Sequence, residues 1–354
     1  MNAEKRPTRV AIVGASGYTG AELIRLLLQH PHVELAVLCA RERIAPRVSD
    51  VLPQLLGLCD LPVETFDAEA VAARADVAFC ALPHGASIEA VRALRKRGVR
   101  VFDLSADFRL RDPLTYAQWY GAPHTATELL AQAVYGLCEL NRDALRDAGL
   151  VAVPGCYPTA STLPLLPLIA SNLLKLDRPI VVHALSGVSG AGRSASPATH
   201  LPECSEGVRP YKVAGTHRHT PEIEQTLSLT ASRDVRVTFT PTLAPMTRGI
   251  LATAYCEPQD GVTAQALVEC AREYYRHSPS VSVLPLGTLP DTLWVRGSNR
   301  AHVGYALDAR SNLVVAMGTI DNLIKGAAGQ AIQCMNLSMG FDEGAGLRMA
   351  PTWP

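Results

Sequence analysis

The chain has 354 residues, 48% hydrophobic and 19% charged, and its 33 basic and 33 acidic side chains leave a formal net charge of +0. That length suggests two domains rather than one core, and the neutral balance carries no electrostatic footprint for nucleic acid or an anionic membrane. Nine cysteines without a Cys-x-x-Cys pair or zinc-type spacing read as free thiols in a reducing compartment; with no signal-peptide pattern and no run near ~18 apolar residues, the cytoplasm is expected.

Apolar residues 9–13 predict a first strand, followed by a glycine-rich turn and a helix over 21–29. Strands follow over 33–39, 76–82 and 99–104, with a helix over 86–96 between the last two, and another strand over 150–153. This alternation predicts an α/β, Rossmann-type doubly wound parallel sheet. Beyond Gly155 a helix over 159–174 leads to strand-like runs over 179–185, 235–243, 250–256, 303–307 and 313–318, with one clear helix over 264–276. These predict an α+β domain with a mostly antiparallel sheet. A final helix over 321–339, rich in small residues, is expected to pack back on the first domain. The expected division is 1–155 with 321–354, and 156–320.

The first strand ends in Gly14-Ala15-Ser16-Gly17-Tyr18-Thr19-Gly20. Glycines there permit a tight turn and close approach to a pyrophosphate, and the helix N-terminus adds free N–H groups and positive dipole. Between a first strand and a first helix, the turn reads as a dinucleotide site. NAD-binding forms carry an acidic residue about 20 residues further on, which holds the ribose hydroxyls. Here the second strand runs into Arg41, Glu42 and Arg43. Arg41 and Arg43 suit a ribose phosphate and favour NADP(H). Glu42 keeps NAD open, and two solvated arginines are the plain alternative.

Val153-Pro154-Gly155-Cys156-Tyr157-Pro158-Thr159 stands where a strand hands over to a helix. Pro158 suits a first helical turn, so Cys156 is placed at a helix N-terminus, where the dipole favours thiolate. Cys39, Cys80, Cys138, Cys256, Cys270 and Cys334 lie in apolar or regular runs, and Cys59 and Cys204 lie in loops. Cys156 alone reads as a nucleophile, against the alternative of a buried structural cysteine. His217 and His219 share one side of an extended segment. Thr220-Pro221-Glu222 reads as a helix start with Thr220 as cap. That favours His219 as acid/base, with His217 as the other candidate and a solvated pair as the alternative. No third ligand stands at metal spacing, so no metal is expected.

The GASGYTG turn, Pro83-His84-Gly85, Ser105-Ala106-Asp107-Phe108-Arg109, the Pro154–Thr159 segment, Ser186-Gly187-Val188-Ser189-Gly190-Ala191-Gly192-Arg193, His217–Ile223 and Ile320-Asp321-Asn322-Leu323 occur in order. Together they closely resemble the N-acetyl-γ-glutamyl-phosphate reductases over nearly the whole chain, within the aspartate-semialdehyde dehydrogenase-like superfamily. The resemblance implies a Rossmann-type NADP-binding domain, a catalytic and dimerisation domain, and a homo-oligomer, dimer or tetramer. It also implies NADPH-dependent acyl-phosphate reduction in arginine biosynthesis. Cys156 attacks a small-molecule acyl phosphate and expels phosphate; the resulting thioester is reduced and collapses to the semialdehyde. A thiolate both enters and leaves a carbonyl well, and an imidazole exchanges protons near neutral pH.

A substrate bearing carboxylate and phosphate needs local cations. Arg109, Arg193 and Arg248 are the candidates, since guanidinium offers a planar fork; each is alternatively a structural ion-pair partner. Ser186, Gly187, Ser189 and Gly190 are too glycine-rich for a strand interior and are expected, with Pro83 and Asn322, to line the cofactor. A merely flexible loop is the alternative. The segment from Leu201 to Tyr211 is offered as a cover over substrate. Rival functions are a lysine-pathway aminoadipyl-phosphate reductase, one methylene longer in substrate, a non-catalytic NADP-binding regulator, and a thiol redox sensor.

Overall fold

The computed structural model describes residues 6–41 and 44–353. The chain forms two compact units, Met1–Pro154 with Ala327–Arg348, and Gly155–Gly326 with Met349–Pro354.

The first unit opens with β1 (Thr8–Val13), α1 (Tyr18–Leu27), β2 (Val33–Ala40), β3 (Val63–Thr65) and α2 (Ala68–Arg74). It continues with β4 (Val77–Cys80), α3 (Ser87–Lys96), β5 (Arg100–Asp103), α4 (Pro113–Tyr120), α5 (Thr127–Leu130), β6 (Val134–Tyr135), α6 (Cys138–Leu145) and β7 (Leu150–Ala152). Among the described residues the strand order is β3-β2-β1-β4-β5-β7-β6, and every pairing is parallel. Strand order reverses at β1/β4, the crevice where nucleotides bind in open α/β sheets. β4 is buried at all four positions, as a strand covered on both faces requires, and Phe79 packs on Phe102 with ring centres 5.4 Å apart. β3 and β6 are three and two residues long, too short to show a period, and no strand was expected at either place.

The second unit runs α7 (Cys156–Thr162), α8 (Leu166–Ala170), β8 (Leu174–Lys175), β9 (Ile180–Ser186), α9 (Leu201–Cys204), β10 (Arg209–Pro210), α10 (Thr220–Ala231) and β11 (Val237–Leu243). It continues with β12 (Ile250–Pro258), α11 (Ala264–Tyr274), β13 (Val281–Val283), β14 (Ala301–Asp308) and β15 (Leu313–Ile320), then a π-helical turn, Ile324–Ala328, at which the unit ends. Its sheet order is β10-β11-β9-β12-β15-β14-β13, with β8 beside β12. The sheet is mixed: among the described residues five of its pairings are antiparallel and two parallel. β9/β11 and β13/β14 are parallel, because a crossover containing α10 separates β9 from β11 and no hairpin can join them. The expected helix over 159–174 is two short ones, interrupted at 163–165, where the ring of Pro164 and its missing N–H break the ladder. The last helix, α12 (Gly329–Met339), belongs to the first unit, and the expected single helix over 321–339 starts instead with the π-turn.

On β9 and β12, alternate residues Ile180, Val182, Ala184, Ile250, Ala252 and Ala254 are buried, while Val181 and Tyr255 remain 43% and 41% exposed. On the buried side Tyr275 and Tyr305 donate to the carbonyls of Leu163 and Pro164, tying the α7–α8 break to α11 and β14. Gly318 in β15 makes room for α7: a Cβ there would stand 2.4 Å from the Ala160 carbonyl oxygen. We expect Gly318→Ala to lower stability by about 1–3 kcal/mol through overpacking, read from denaturant unfolding. An unchanged midpoint would mean that α7 shifts freely.

Candidate active site

Cys156 is the first residue of α7 and is half-buried outside any disulfide. Gly155, the N-cap, is extended (φ −68°, ψ 156°), and its carbonyl accepts both the Thr159 N–H at 3.0 Å and the Thr159 hydroxyl at 2.9 Å. The first N–H groups of a helix have no intrahelical acceptor, so the sulfur sits beside a locally positive helix end. Pro158, in that turn, has no N–H to leave unsatisfied. Gly326 closes the other side, since a Cβ there would lie 2.8 Å from Cys156 Cβ and 3.2 Å from its Cα.

The histidine segment precedes α10. The helix begins at Thr220, with His219 rather than Thr220 as the capping position. The His219 N–H donates to His217 Nδ1 at 3.1 Å, so His217 is a neutral imidazole carrying its proton on Nε2. Aromatic rings enclose it: Tyr157, Phe239 and Tyr211 stand 5.4, 5.3 and 5.5 Å away, and His219 4.9 Å. Burial, helped by the charges of Lys212 and Arg218, pushes His217 down to about 4. The Tyr211 hydroxyl donates to that of Tyr157 at 3.0 Å. Burial pushes Tyr211 up to about 12, with the Tyr157 bond acting the other way and the Cys156 charge adding a lesser rise.

A second group surrounds the end of β9. Gly187 N–H donates to the Gly249 carbonyl at 2.8 Å, and a Cβ on Gly187 would be 2.7 Å from the Thr247 oxygen. Asn322 accepts from the Gly249 N–H at 2.8 Å and donates to Ser189 Oγ at 3.0 Å. Arg248 lies 3.6 Å from Asp321, which is fully buried and also accepts from the Gly297 and Leu323 N–H groups. Arg193 is half-buried after Gly192.

In the first unit, Gly14 and Ala15 donate to the Cys39 carbonyl at 2.8 and 2.9 Å. Gly14 has φ +103°, and a Cβ on it would stand 2.3 Å from the Ala81 oxygen; one on Gly20 would stand 2.4 Å from the Gly14 oxygen. Gly17 caps α1 with no side-chain bond, and no acidic residue follows in the first turn. The turn therefore has the tightness and the positive helix end that a pyrophosphate fits. Ser16 and Thr19 are half-buried, Tyr18 is exposed, and Arg41 is exposed just after β2. Arg43 lies outside the described residues. Pro83 follows β4 and accepts from the Ala86 N–H.

The family profile described as "Semialdehyde dehydrogenase, NAD binding domain" matches residues 9–148, and "Semialdehyde dehydrogenase, dimerisation domain" matches 156–322. The chain is 51% identical over 346 residues to the N-acetyl-gamma-glutamyl-phosphate reductase of Desulforudis audaxviator, covering 98% of this chain and 99% of that one. It is 47% identical to those of Citrifermentans bemidjiense and Magnetococcus marinus, covering 98% and 99% of this chain and 99% of each relative. This chain belongs to the N-acetyl-gamma-glutamyl-phosphate reductase family. Its fold is also that of aspartate semialdehyde dehydrogenase II from Vibrio cholerae, at TM-score 0.71 and 17% identity over 95% of this chain and 99% of that one. The enzyme of Candida albicans, solved with NADP, has TM-score 0.68 and 17% identity over 94% and 98%.

The segments shared with N-acetyl-gamma-glutamyl-phosphate reductases fall into local groups, of which the two in the second unit meet where Tyr157 bonds the Ser186 side chain. One holds Cys156, Tyr157, Tyr211, His217 and His219; another holds Ser186, Gly187, Ser189, Arg248 and Asn322. Arg109 belongs to the first unit and is 6% exposed, and its Nε and Nη2 donate to the carbonyls of Val153 and Leu104, each at 2.8 Å. Much of its guanidinium thus holds two strand ends. The Pro83-His84-Gly85 and Ser105–Arg109 segments are joined: His84 Nδ1 accepts from the Ala106 N–H at 3.0 Å, and Asp107 accepts from the Gly85 N–H and, at 2.9 Å, from the Tyr116 hydroxyl. Burial pushes neighbouring Asp103 up to about 6, against the lowering bonds of Ser105 and Ser87. Sequence reasoning left Gly326, Asp103 and Asp107 without a role and named Tyr211 only as the end of a covering segment. Only the position of Asp107 inside a shared segment marked it. Among the described residues no cluster of His, Cys, Asp or Glu is placed to hold a metal.

Two tests follow from this geometry. Gly326→Ala is expected to cut kcat at least tenfold by displacing Cys156, and native-like turnover would show that the π-turn yields. His217 should stay neutral from pH 8 to about pH 5 in imidazole NMR. Its pKa is lower folded than unfolded, so its contribution is complete above about pH 6.5 and lost as pH falls towards 4. A His217 transition near pH 6.5 in the folded protein would contradict the buried, singly protonated ring.

Proposed function

We propose that this protein reduces N-acetyl-L-glutamyl 5-phosphate to N-acetyl-L-glutamate 5-semialdehyde and phosphate, with NADPH, in arginine biosynthesis in the cytoplasm. The observation that carries this reading is a half-buried thiol at the first residue of α7, next to Tyr157, whose ring stands 5.4 and 6.0 Å from those of His217 and His219, within a chain about half identical to reductases of that name.

Cys156 gives its proton to His219, and the thiolate attacks the acyl carbon. The C–O bond to phosphate breaks, phosphate leaves and an S-acyl enzyme remains. A dihydronicotinamide, when bound, would supply the hydride that takes the thioester to the aldehyde level. His219 returns the proton as the C–S bond breaks and the semialdehyde departs. His217, neutral and with its Nδ1 occupied, suits a fixed Nε2–H donor to the carbonyl oxygen, where negative charge develops. The rings around it exclude water and keep it from ionising.

Gly14, Ser16, Gly17, Tyr18, Thr19 and Gly20 would hold the pyrophosphate, and Arg41 with Arg43 the ribose phosphate. Ser186, Gly187, Ser189, Gly190 and Asn322 would border the nicotinamide, and Pro83 is a further cofactor contact of the first unit. Arg109, Arg193 and Arg248 are assigned to the carboxylate and phosphate of the substrate; Arg109 also bonds the Val153 and Leu104 carbonyls, and Arg248 stands against Asp321. Among the described residues no helix is long and apolar enough to cross a membrane.

Phosphate-dependent reduction of NADP by N-acetylglutamate semialdehyde is expected in the native protein and at least 10³-fold weaker in Cys156→Ser. Preference for the aminoadipate homologue, or for NAD, would redirect the assignment; full activity in the serine variant would sink the thioester route. The partly exposed apolar face bearing Val181 and Tyr255 lies in the segment matched by the dimerisation profile, and we assign it to self-association. Sedimentation should show an oligomer that Tyr255→Glu dissociates.

A further inference from the structure

Glu222 is the third residue of α10 and is 1% exposed. A buried carboxylate is unfavourable unless it accepts hydrogen bonds. Here the N-terminus of α10 favours the charge, and Oε1 accepts the Gly155 N–H at 2.8 Å. Gly155 directly precedes the nucleophile, and as the cap of α7 its N–H has no use inside that helix. Its carbonyl is already held by Thr159. The backbone unit that carries Cys156 is thus clamped by its own helix on one side and by Glu222 on the other.

The chain from His217 to Glu222 is rigid over the same few residues. Thr220 N–H donates to the His217 carbonyl at 3.0 Å and Ile223 N–H to the His219 carbonyl at 3.1 Å. The Glu222 carbonyl accepts from the Thr226 hydroxyl at 2.9 Å. One side chain therefore connects two segments 67 residues apart, one bearing the thiol and the other bearing both imidazoles.

We propose that Glu222 is a positioning residue that sets the spacing between Cys156 and the histidine pair through the Gly155 amide. This rests on the reading of Cys156 as nucleophile. What the role needs is an acceptor oxygen at full side-chain length, not the charge itself.

The test compares Glu222→Gln, which keeps length and acceptor, with Glu222→Asp, which keeps charge and loses reach. kcat, KM, the pH profile of Cys156 alkylation by iodoacetamide, and thermal unfolding are measured on the full chain. Gln is expected within about threefold of native in kcat and alkylation rate. Asp is expected to lose tenfold or more in kcat, with KM within about twofold and a displaced alkylation profile, while still folding. Asp near native, or Gln as impaired as Asp, would overturn the proposal. Alkylation requires neither substrate nor nucleotide. A native protein that is inactive as a reductase, yet shows the expected Asp and Gln contrast in alkylation, would separate failure of the substrate assignment from failure of this one.

Discussion

In the proposed reaction a thiol both attacks and leaves the same carbon, which depends on a backbone that stays still, and that requirement falls on the peptide units at residues 155 and 156. The first turn of α7 supplies uncapped N–H groups and a positive helix end, and those are useful only if the turn keeps its place. Three features hold it there: the Thr159 bonds to the Gly155 carbonyl, the missing side chain at Gly318 that seats α7 on β15, and the missing side chain at Gly326 beside the sulfur-bearing residue. Two of the three are absences of atoms, and neither glycine has a positive φ. They are needed for proximity rather than for backbone freedom.

The two histidines share a segment but not an environment. His217 lies inside a ring of Tyr157, Tyr211 and Phe239 and accepts a backbone N–H, so charging it would mean placing a cation among apolar rings. His219, at the cap of α10, is half-buried. Two imidazoles separated by one residue are thereby set in different surroundings, and in the proposed reaction one is a neutral donor and the other exchanges the proton.

The first unit was legible where strands were long and covered on both faces. β1, β2, β4 and β5 read as apolar runs, and the glycine turn followed from its place between β1 and α1. The stretch between Leu104 and Leu150 was not legible. Its order comes from a buried polar network around Asp107, Gly85 and Tyr116, and polar residues in a loop give no periodic signal. In the second unit the five longer strands, β9, β11, β12, β14 and β15, were found, but not the short ones or the parallel pairings. Whether β9 lies parallel to β11 depends on the intervening crossover, and alternation along a strand is the same for either direction.

The amino-acid sequence by itself determined the presence of a dinucleotide turn, the singular position of Cys156 among nine cysteines, and the histidine pair before a helix, because each is a local pattern within a few residues. Tertiary structure alone decided that Arg109 spends its Nε and Nη2 on strand-end carbonyls, that Glu222 reaches Gly155, and that Gly326 abuts Cys156. Apart from the Leu104 bond, five positions from Arg109, these are meetings of residues separated by tens to more than a hundred positions. A buried hydrogen bond or a missing Cβ acquires meaning only when folding brings its counterpart within a few ångströms, and no composition, period or spacing along the chain records that approach.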